Sequence, residues 1–331
     1  MPLSLDLVRR LATASPAEAW AAIFAEAWRT CSPLLSPRNS AAEVTRRDNE
    51  TGILDLFLAT VGWDLWAAYE AGAVHTSQAL IEWWATQSSG RAVLILDGLS
   101  LREAPWIVHG AAARGLEVHG VRVTGAELPA ETTPFAKALG FAQRSALDNN
   151  GAGSAHQLAG ARTESGDLPW PECAKLVGAE PRWVFWHHWP DSRVHDLSSP
   201  GQGIGPLAAD VVARLNDDAF WAFIQRLATG RRLLITSDHG YAASGLFSDA
   251  PDEQGKHLRD VFQSGRSAPA NGDASPWMPP VELTLASPHG RRRYALGRRK
   301  WKSHGGYPTL THGGLSVLEV ASPFIEISRK E

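Results

Sequence analysis

The sequence predicts an α/β protein with a central, mostly parallel sheet flanked by helices and with a helical N-terminal region. The chain has 331 residues, which suits one large α/β domain with a helical appendage. Up to about residue 88 the apolar residues recur at helical spacing, and beyond it short apolar runs alternate with amphipathic stretches. We therefore expect a helical region over residues 1–88 and an α/β domain over residues 89–331.

The helical patterns of the N-terminal region have recognisable boundaries. The first covers residues 16–28 and follows Ser15, a residue type that caps helix N-termini, with Pro16 at the first helical position. Residues 52–66 and 78–84 continue with the same apolar spacing. These patterns predict helices without intervening strands.

In the α/β domain, predicted strands and helices follow one another in the order that gives a parallel sheet. The strands are expected over residues 91–97, 116–124, 181–187 and 231–238, and the helices over residues 102–114, 133–139 and 210–227. A final apolar segment covers residues 315–327. Residues 148–155 and 263–280 are rich in Gly, Asn, Ser or Pro, which predicts surface loops or partly disordered insertions.

The composition excludes several classes of protein. Lys and Arg number 32 against 35 Asp and Glu, so the net charge of −3 gives no overall field for binding nucleic acid. Cys31 and Cys173 are too few for a disulfide framework or a thiolate metal site. No apolar run approaches the ~18 residues that a membrane span needs, and the first ten residues lack a signal-peptide pattern. We expect a cytoplasmic protein that does not contact a membrane.

Aspartates and histidines collect at or just after the predicted strand ends. They are Asp97, Asp191, His195, Asp238, His239 and His312. Parallel strands bring their carboxyl ends to one edge of the sheet, and carboxylates with imidazoles suit zinc, manganese or another divalent metal. Six such groups are enough for two metal ions, an arrangement that clamps both the attacking and the leaving oxygen in phosphoryl transfer.

Other residues compete for three of these positions. His187, His188 and Asp196 lie close to Asp191 and His195 along the chain and could replace them as ligands. His304 precedes a Gly-Gly pair, as His312 does, and is the alternative to it.

Three segments of the α/β domain carry motifs in a specific order. They are residues 94–100 (LILDGLS), residues 235–240 (ITSDHG) and residues 311–319 (THGGLSVLE), with Pro323 after them. Over about residues 90–331 the chain resembles the PglZ family of BREX phage defence, within the alkaline phosphatase superfamily. The resemblance implies an alkaline-phosphatase-like fold and metal-dependent hydrolysis of a phosphodiester or nucleotide. It also implies a role in bacterial phage defence together with other proteins of the defence system.

The resemblance further implies which residues bind two divalent metals, with zinc as the expected metal and manganese as the alternative. The implied sets are Asp97, Asp238 and His239 for one metal, and Asp191, His195 and His312 for the other. His312 fits better than His304 because Ser316, Glu319 and Pro323 follow it in the family's order.

The attacking group is the main departure from the resemblance. Related enzymes carry Pro-Thr-x-Thr at a helix N-terminus, and Pro129 and Thr132 fit this pattern. The nucleophile position is then Ala130, which has no hydroxyl. Three interpretations stay open: an introduced Ala, natural loss of the nucleophile, or a shifted register in which Thr132 or Thr133 attacks. Thr132 is also a good helix cap without any catalytic role.

A basic cluster with interleaved aromatic residues precedes His304. Its members are Arg291, Arg292, Arg293, Arg298, Arg299, Lys300 and Lys302. The mixture suits phosphate contacts and base stacking, so nucleic acid is a candidate partner, and the alternative is a solvated hairpin edge. The alternative to an enzyme is an inactive metal-binding scaffold or a nucleic-acid-binding module of a defence complex.

Overall fold

The computed structural model describes residues 3–33, 37–86, 90–270 and 275–330. Helices account for the regular structure of the N-terminal region. They are α1 (Leu5–Thr13), α2 (Pro16–Cys31), α3 (Ser40–Thr60), α4 (Asp64–Ala67), α5 (Tyr69–Gly72) and α6 (Thr76–Thr86). The predicted cap is confirmed, because Ser15 Oγ accepts from the Glu18 N–H and Glu18 Oε2 accepts from the Ser15 N–H. The expected boundary at residue 88 lies outside the described residues.

Strands form a central sheet and two small ones. They are β1 (Arg91–Leu96), β2 (Leu116–Gly125), β3 (Arg162–Gly166), β4 (Arg182–His187), β5 (Arg232–Thr236), β6 (Ser248–Asp249), β7 (Ser267–Pro269), β8 (Glu282–Ser287), β9 (Gly290–Ala295), β10 (Arg299–Lys300) and β11 (Ala321–Arg329). In the described residues the central sheet has the order β2-β11-β5-β1-β4-β3. Its strands run parallel except β11, which is antiparallel to β2 and β5.

Helices cover both faces of the central sheet. Those of the α/β domain are α7 (Ala104–Ala113), α8 (Thr132–Ala138), α9 (Trp170–Leu176), α10 (Asp191–Asp196), α11 (Ile204–Asn216), α12 (Asp218–Leu227), α13 (Asp252–Phe262) and α14 (Val317–Val320). Alternate residues of β1 point to opposite faces, with Leu94 in the apolar cluster of α7, α11 and α12, and Ile95 in that of α6 and α8. The predicted α/β class with a central, mostly parallel sheet flanked by helices is confirmed.

Two local predictions are corrected by the structure. The single helix expected over residues 210–227 is α11 and α12, because Asp217 is extended (φ −69°, ψ 132°) and its side chain accepts from the Ala219 N–H. The expected loop at residues 263–280 contains β7, and residues 271–274 of it lie outside the described part of the chain. The expected loop at residues 148–155 adjoins a short 3-10 helix over Arg144–Asn150, and Asp148 and Asn149 have non-helical backbone angles.

The N-terminal helices pack into the α/β domain. Residues of α2 and α3 share an apolar cluster with Leu315, Val317 and Leu318. Asp48 of α3 forms a fully buried ion pair with Arg102. Among the helices of the described residues, none has the length and apolar character needed to cross a membrane.

Candidate metal centre

Two adjacent strands place the first candidate ligands at the carboxyl edge of the sheet. Asp97 directly follows β1, and Asp238 and His239 follow β5. Because β1 and β5 pair in parallel, their ends meet, and Asp238 Oδ1 accepts from the Gly98 N–H at 3.0 Å. The side chains of all three ligand candidates are fully buried. His239 Nε2 lies 3.6 Å from Asp97 Oδ1 and 3.4 Å from Asp238 Oδ2.

A short helix after β4 contributes the next pair. Asp191 and His195 are four residues apart on α10 and therefore lie on one face of it. His195 Nε2 lies 3.2 Å from Asp191 Oδ2. The backbone N–H of Asp191 donates to the carbonyl of Asp97 at 2.8 Å, which joins this helix to the end of β1.

His312 completes the group from the segment before α14. Its Nε2 lies 3.7 Å from Asp191 Oδ1 and 3.5 Å from His195 Nε2. Its ring also stacks on the ring of His239, with centroids 4.5 Å apart. The structure thus brings all six predicted ligand candidates together.

Two sets of these side chains could each hold a metal ion. One is Asp191, His195 and His312, which matches the set that the family resemblance implies. The other is Asp97, Asp191 and His239, so Asp191 belongs to both sets, whereas the resemblance assigns Asp238 beside Asp97.

A test of the fit comes from unsatisfied buried atoms. Among the described residues, Asp191 Oδ1, Asp238 Oδ2 and His239 Nε2 are buried and have no hydrogen-bond partner. Buried polar atoms normally have partners, and these three are of the types that bind divalent metals. The donor set therefore fits metal ions.

The competing residues have other contacts or lie in solvent. His187 is buried and bonds the Leu168 carbonyl through Nε2 at 3.0 Å. Asp196 pairs with Arg193 at 2.7 Å, and His304 is exposed. His188 contacts Ser165 Oγ at 3.0 Å and also lines a cleft that contains Asp191, His195 and His312.

Burial and the neighbouring charged groups together shift the pKa values of the candidate ligands. Burial raises the pKa of Asp97 well above its usual range, and the carboxylates of Asp238 and Asp191 raise it further. Burial alone would lower the pKa of His239, but the same three carboxylates raise it to about 9. Burial also opposes the charged form of Asp191, yet the hydrogen bond from His195 and the nearby imidazoles hold its pKa below the usual range. A bound cation would relieve this repulsion between carboxylates.

Two side chains that contact Asp97 are not predicted from the sequence. Arg144 forms an ion pair with Asp97 Oδ2, and the Trp186 indole N–H donates to the same oxygen at 3.2 Å. Arg144 belongs to a segment without a motif, so the sequence offers no signal for it. Trp186 is the penultimate residue of β4, and only the pairing of β4 with β1 brings it to Asp97.

The two candidate nucleophile positions differ in their surroundings. Ala130 is fully buried in the apolar cluster that includes Leu101 and Leu128. Thr132 is the first residue of α8, and its Oγ1 lies 3.4 Å from Asp97 Oδ1. Thr132 lines a cleft of about 580 Å³ together with Arg144, Asp191, His195 and His312. Thr132 therefore lines the cleft, whereas Ala130 is buried in the apolar cluster.

The basic cluster divides into internal and accessible residues. Arg293 pairs with Glu282, and Arg298 pairs with Asp48, with both carboxylates buried. These two arginines are therefore engaged inside the protein, which runs against their predicted role in binding nucleic acid. Arg291 and Lys302 are exposed, whereas Arg292, Arg299 and Lys300 are half-buried.

Comparisons with known proteins give only distant similarity. No family model and no curated protein matches the chain. An inactive form of murine ectonucleotide pyrophosphatase/phosphodiesterase 5 in complex with AMP is 14% identical, with 73% of this chain and 88% of that chain covered and a TM-score of 0.42. Phosphonoacetate hydrolase from Sinorhizobium meliloti in complex with phosphonoformate is 14% identical, with 72% and 89% covered and a TM-score of 0.43. At such identities and TM-scores these matches do not assign the chain to a family.

Proposed function

We propose that this protein is a metal-dependent phosphoesterase that acts on a phosphodiester or nucleotide. The observation that carries the proposal is the group of unpartnered buried atoms, Asp191 Oδ1, Asp238 Oδ2 and His239 Nε2, next to the cleft that contains the Thr132 hydroxyl. Carboxylate and imidazole groups that lack hydrogen-bond partners are suited to hold two divalent ions. Zinc is the metal that we favour, with manganese as the alternative.

The proposed ligands are Asp97, Asp191, His195, Asp238, His239 and His312. When bound, the two ions supply Lewis-acid stabilisation of charge on the phosphoryl group. Because Asp191 faces both groups of ligands, it is the residue best placed to hold the two sites in a fixed relation.

We assign the attack to Thr132 and not to position 130. Thr132 Oγ1 forms a bond to phosphorus while the bond from phosphorus to the leaving alcohol breaks, and the hydroxyl proton ends on that alcohol. Water then hydrolyses the threonine ester and restores the hydroxyl. Arg144, whose guanidinium lies in the same cleft, binds the phosphoryl oxygens.

The biological setting that we propose follows from the resemblance to the PglZ family. It is a cytoplasmic role in bacterial phage defence with other proteins of the defence system. Exposed Arg291 and Lys302 are the members of the basic cluster most available for nucleic acid.

A second candidate function is an inactive metal-binding scaffold. The observation that favours it is Ala130, which has no hydroxyl where the related Pro-Thr-x-Thr pattern places one. This candidate retains the metal ligands but requires no turnover.

Metal content and hydrolysis together separate the candidates. We expect elemental analysis to find about two equivalents of zinc or manganese, reduced in Asp238→Ala. We also expect hydrolysis of bis(p-nitrophenyl) phosphate, abolished in Thr132→Ala and retained in Thr133→Ala. Metal without turnover would favour the scaffold, particularly if Ala130→Thr gained activity. Absence of metal after loading would refute both functions.

A further inference from the structure

His312 lies outside the named helices and strands, in a short segment between two β-bridges. In these bridges Thr311 pairs with Ala242, and Leu315 pairs with Leu296. The following residue, Gly313, has φ of 92°, and a Cβ there would lie 2.9 Å from Glu131 Oε1. The segment therefore fits closely between its neighbours, and contacts must fix where the His312 ring lies.

A buried carboxylate within the α/β domain fixes part of this segment. Glu319 accepts from the Gly314 N–H at 2.8 Å and from Ser316 Oγ at 2.7 Å. Arg266 Nε donates to the same carboxylate at 2.9 Å. These contacts anchor the chain two to four residues after His312.

A second buried carboxylate comes from the N-terminal helical region. Asp55 lies on α3, is 1% exposed, and accepts from the Val317 N–H at 2.7 Å. Val317 is the first residue of α14, where a backbone N–H has no partner within the helix. Burial raises the pKa of Asp55 to about 6. Arg298 opposes this shift and favours the charged carboxylate, because its Nη1 lies 3.9 Å from the other oxygen of Asp55.

We propose that Asp55 is a positioning residue for His312, so that the N-terminal helical region holds a candidate metal ligand in place. Asp55 and Glu319 fix the two ends of residues 314–317, on the C-terminal side of His312, while two backbone hydrogen bonds between Thr311 and Ala242 hold the residue before it. Asp55 does not line the cleft and takes no part in the chemistry. The inference rests on the proposed function because it treats His312 as a metal ligand.

Two substitutions remove the hydrogen bond between the Val317 N–H and the Asp55 carboxylate, one at the acceptor and one at the donor. Asp55→Leu replaces the acceptor with an apolar side chain of similar size. Val317→Pro removes the donor at the first helical position, where proline is tolerated. Asp55→Asn keeps an oxygen acceptor and should behave like the unmodified protein. Val44→Ala is the matched control, because Val44 is a buried residue of the same helix whose apolar cluster excludes residues 315–321.

The readouts are the ring proton chemical shifts of His312 by NMR without metal, and zinc affinity by calorimetry. In Asp55→Leu and Val317→Pro we expect the shifts to move towards free-histidine values, because the ring leaves the His239 stack, and zinc affinity to fall by about tenfold. Asp55→Asn and Val44→Ala should change neither.

Unchanged His312 shifts in folded Asp55→Leu or Val317→Pro would overturn the inference, as would equal changes in Val44→Ala. If Asp55→Leu does not fold, Val317→Pro decides the question alone. If the unmodified protein binds neither zinc nor manganese, the proposed function fails, while the NMR comparison still decides the role of Asp55.

Discussion

Replacing Arg144 with glutamine should change metal affinity and turnover in opposite directions. The positively charged Arg144 guanidinium pairs with Asp97 Oδ2 and so neutralises carboxylate charge that a metal ion at Asp97 would use, unlike the neutral N–H of Trp186. Arg144 and the metal therefore compete for one carboxylate when the substrate is absent. When Asp97 binds metal, the guanidinium is free for the phosphoryl oxygens of the substrate.

The magnitudes follow from these contacts. A charge-assisted hydrogen bond contributes about 1.5–3 kcal/mol, and the Arg144 side chain is 28% exposed, so the lower value applies. Removing the competitor should therefore strengthen metal binding by about tenfold. Removing a preorganised donor to the phosphoryl group should reduce kcat by about 100-fold or more.

The assay pairs zinc calorimetry on metal-free protein with steady-state hydrolysis of bis(p-nitrophenyl) phosphate. Arg182→Gln is the control. Arg182 is the first residue of β4, at the end of the strand away from the candidate metal ligands, and it donates to the Ala159 carbonyl. A parallel loss of metal affinity and turnover in Arg144→Gln would refute the reasoning, since Arg144 would then support the metal site instead of competing for it.

Two further predictions concern buried contacts. Asp48→Ala should lower the free energy of unfolding by about 3–5 kcal/mol in urea titrations, because it leaves Arg102 buried without its carboxylate. The paired arginines hold the pKa of Asp48 below its usual range although burial opposes this. The ion pairs of Asp48 therefore stabilise the fold fully above the pKa of the unfolded state, about 3.9, and lose this effect as the pH falls from there through the lower pKa of the folded state. The stability of Asp48→Ala should therefore depend less on pH in acid. Trp186→Phe should weaken zinc binding by about tenfold by removing the N–H donor to Asp97, whereas Trp183→Phe, which removes an indole bond to Glu180, should not.

The sequence predicts those parts of the fold that local patterns encode. The Ser15 cap and the apolar run that ends at Asp97 follow from residue types at fixed spacing, and both elements form where expected. In contrast, β3 has the sequence RTESG and lies at the edge of the sheet, so it lacks the apolar run that predicts a buried strand.

The residues of the candidate site also fall into those that local sequence patterns predict and those that they do not. Aspartates and histidines that follow strand ends can be predicted, because parallel strands must meet at one edge. Arg144 and Asp55 could not be predicted, since their partners Asp97 and Val317 are distant in the chain. The placement of Thr132 beside Asp97 depends on how the backbone leaves β2, which the spacing of Pro129 and Thr132 does not specify.

The position of β11 has a consequence for folding kinetics. This strand lies between β2 and β5, so its partners precede it by long stretches of chain. Until it inserts, β2 has no partner in the sheet and β5 presents an open edge, both able to pair with strands of other molecules. Insertion of β11 joins strands that are far apart in the chain and is therefore a high-contact-order step. We expect this step to occur late in folding, so that intermediates with open strand edges persist and can aggregate.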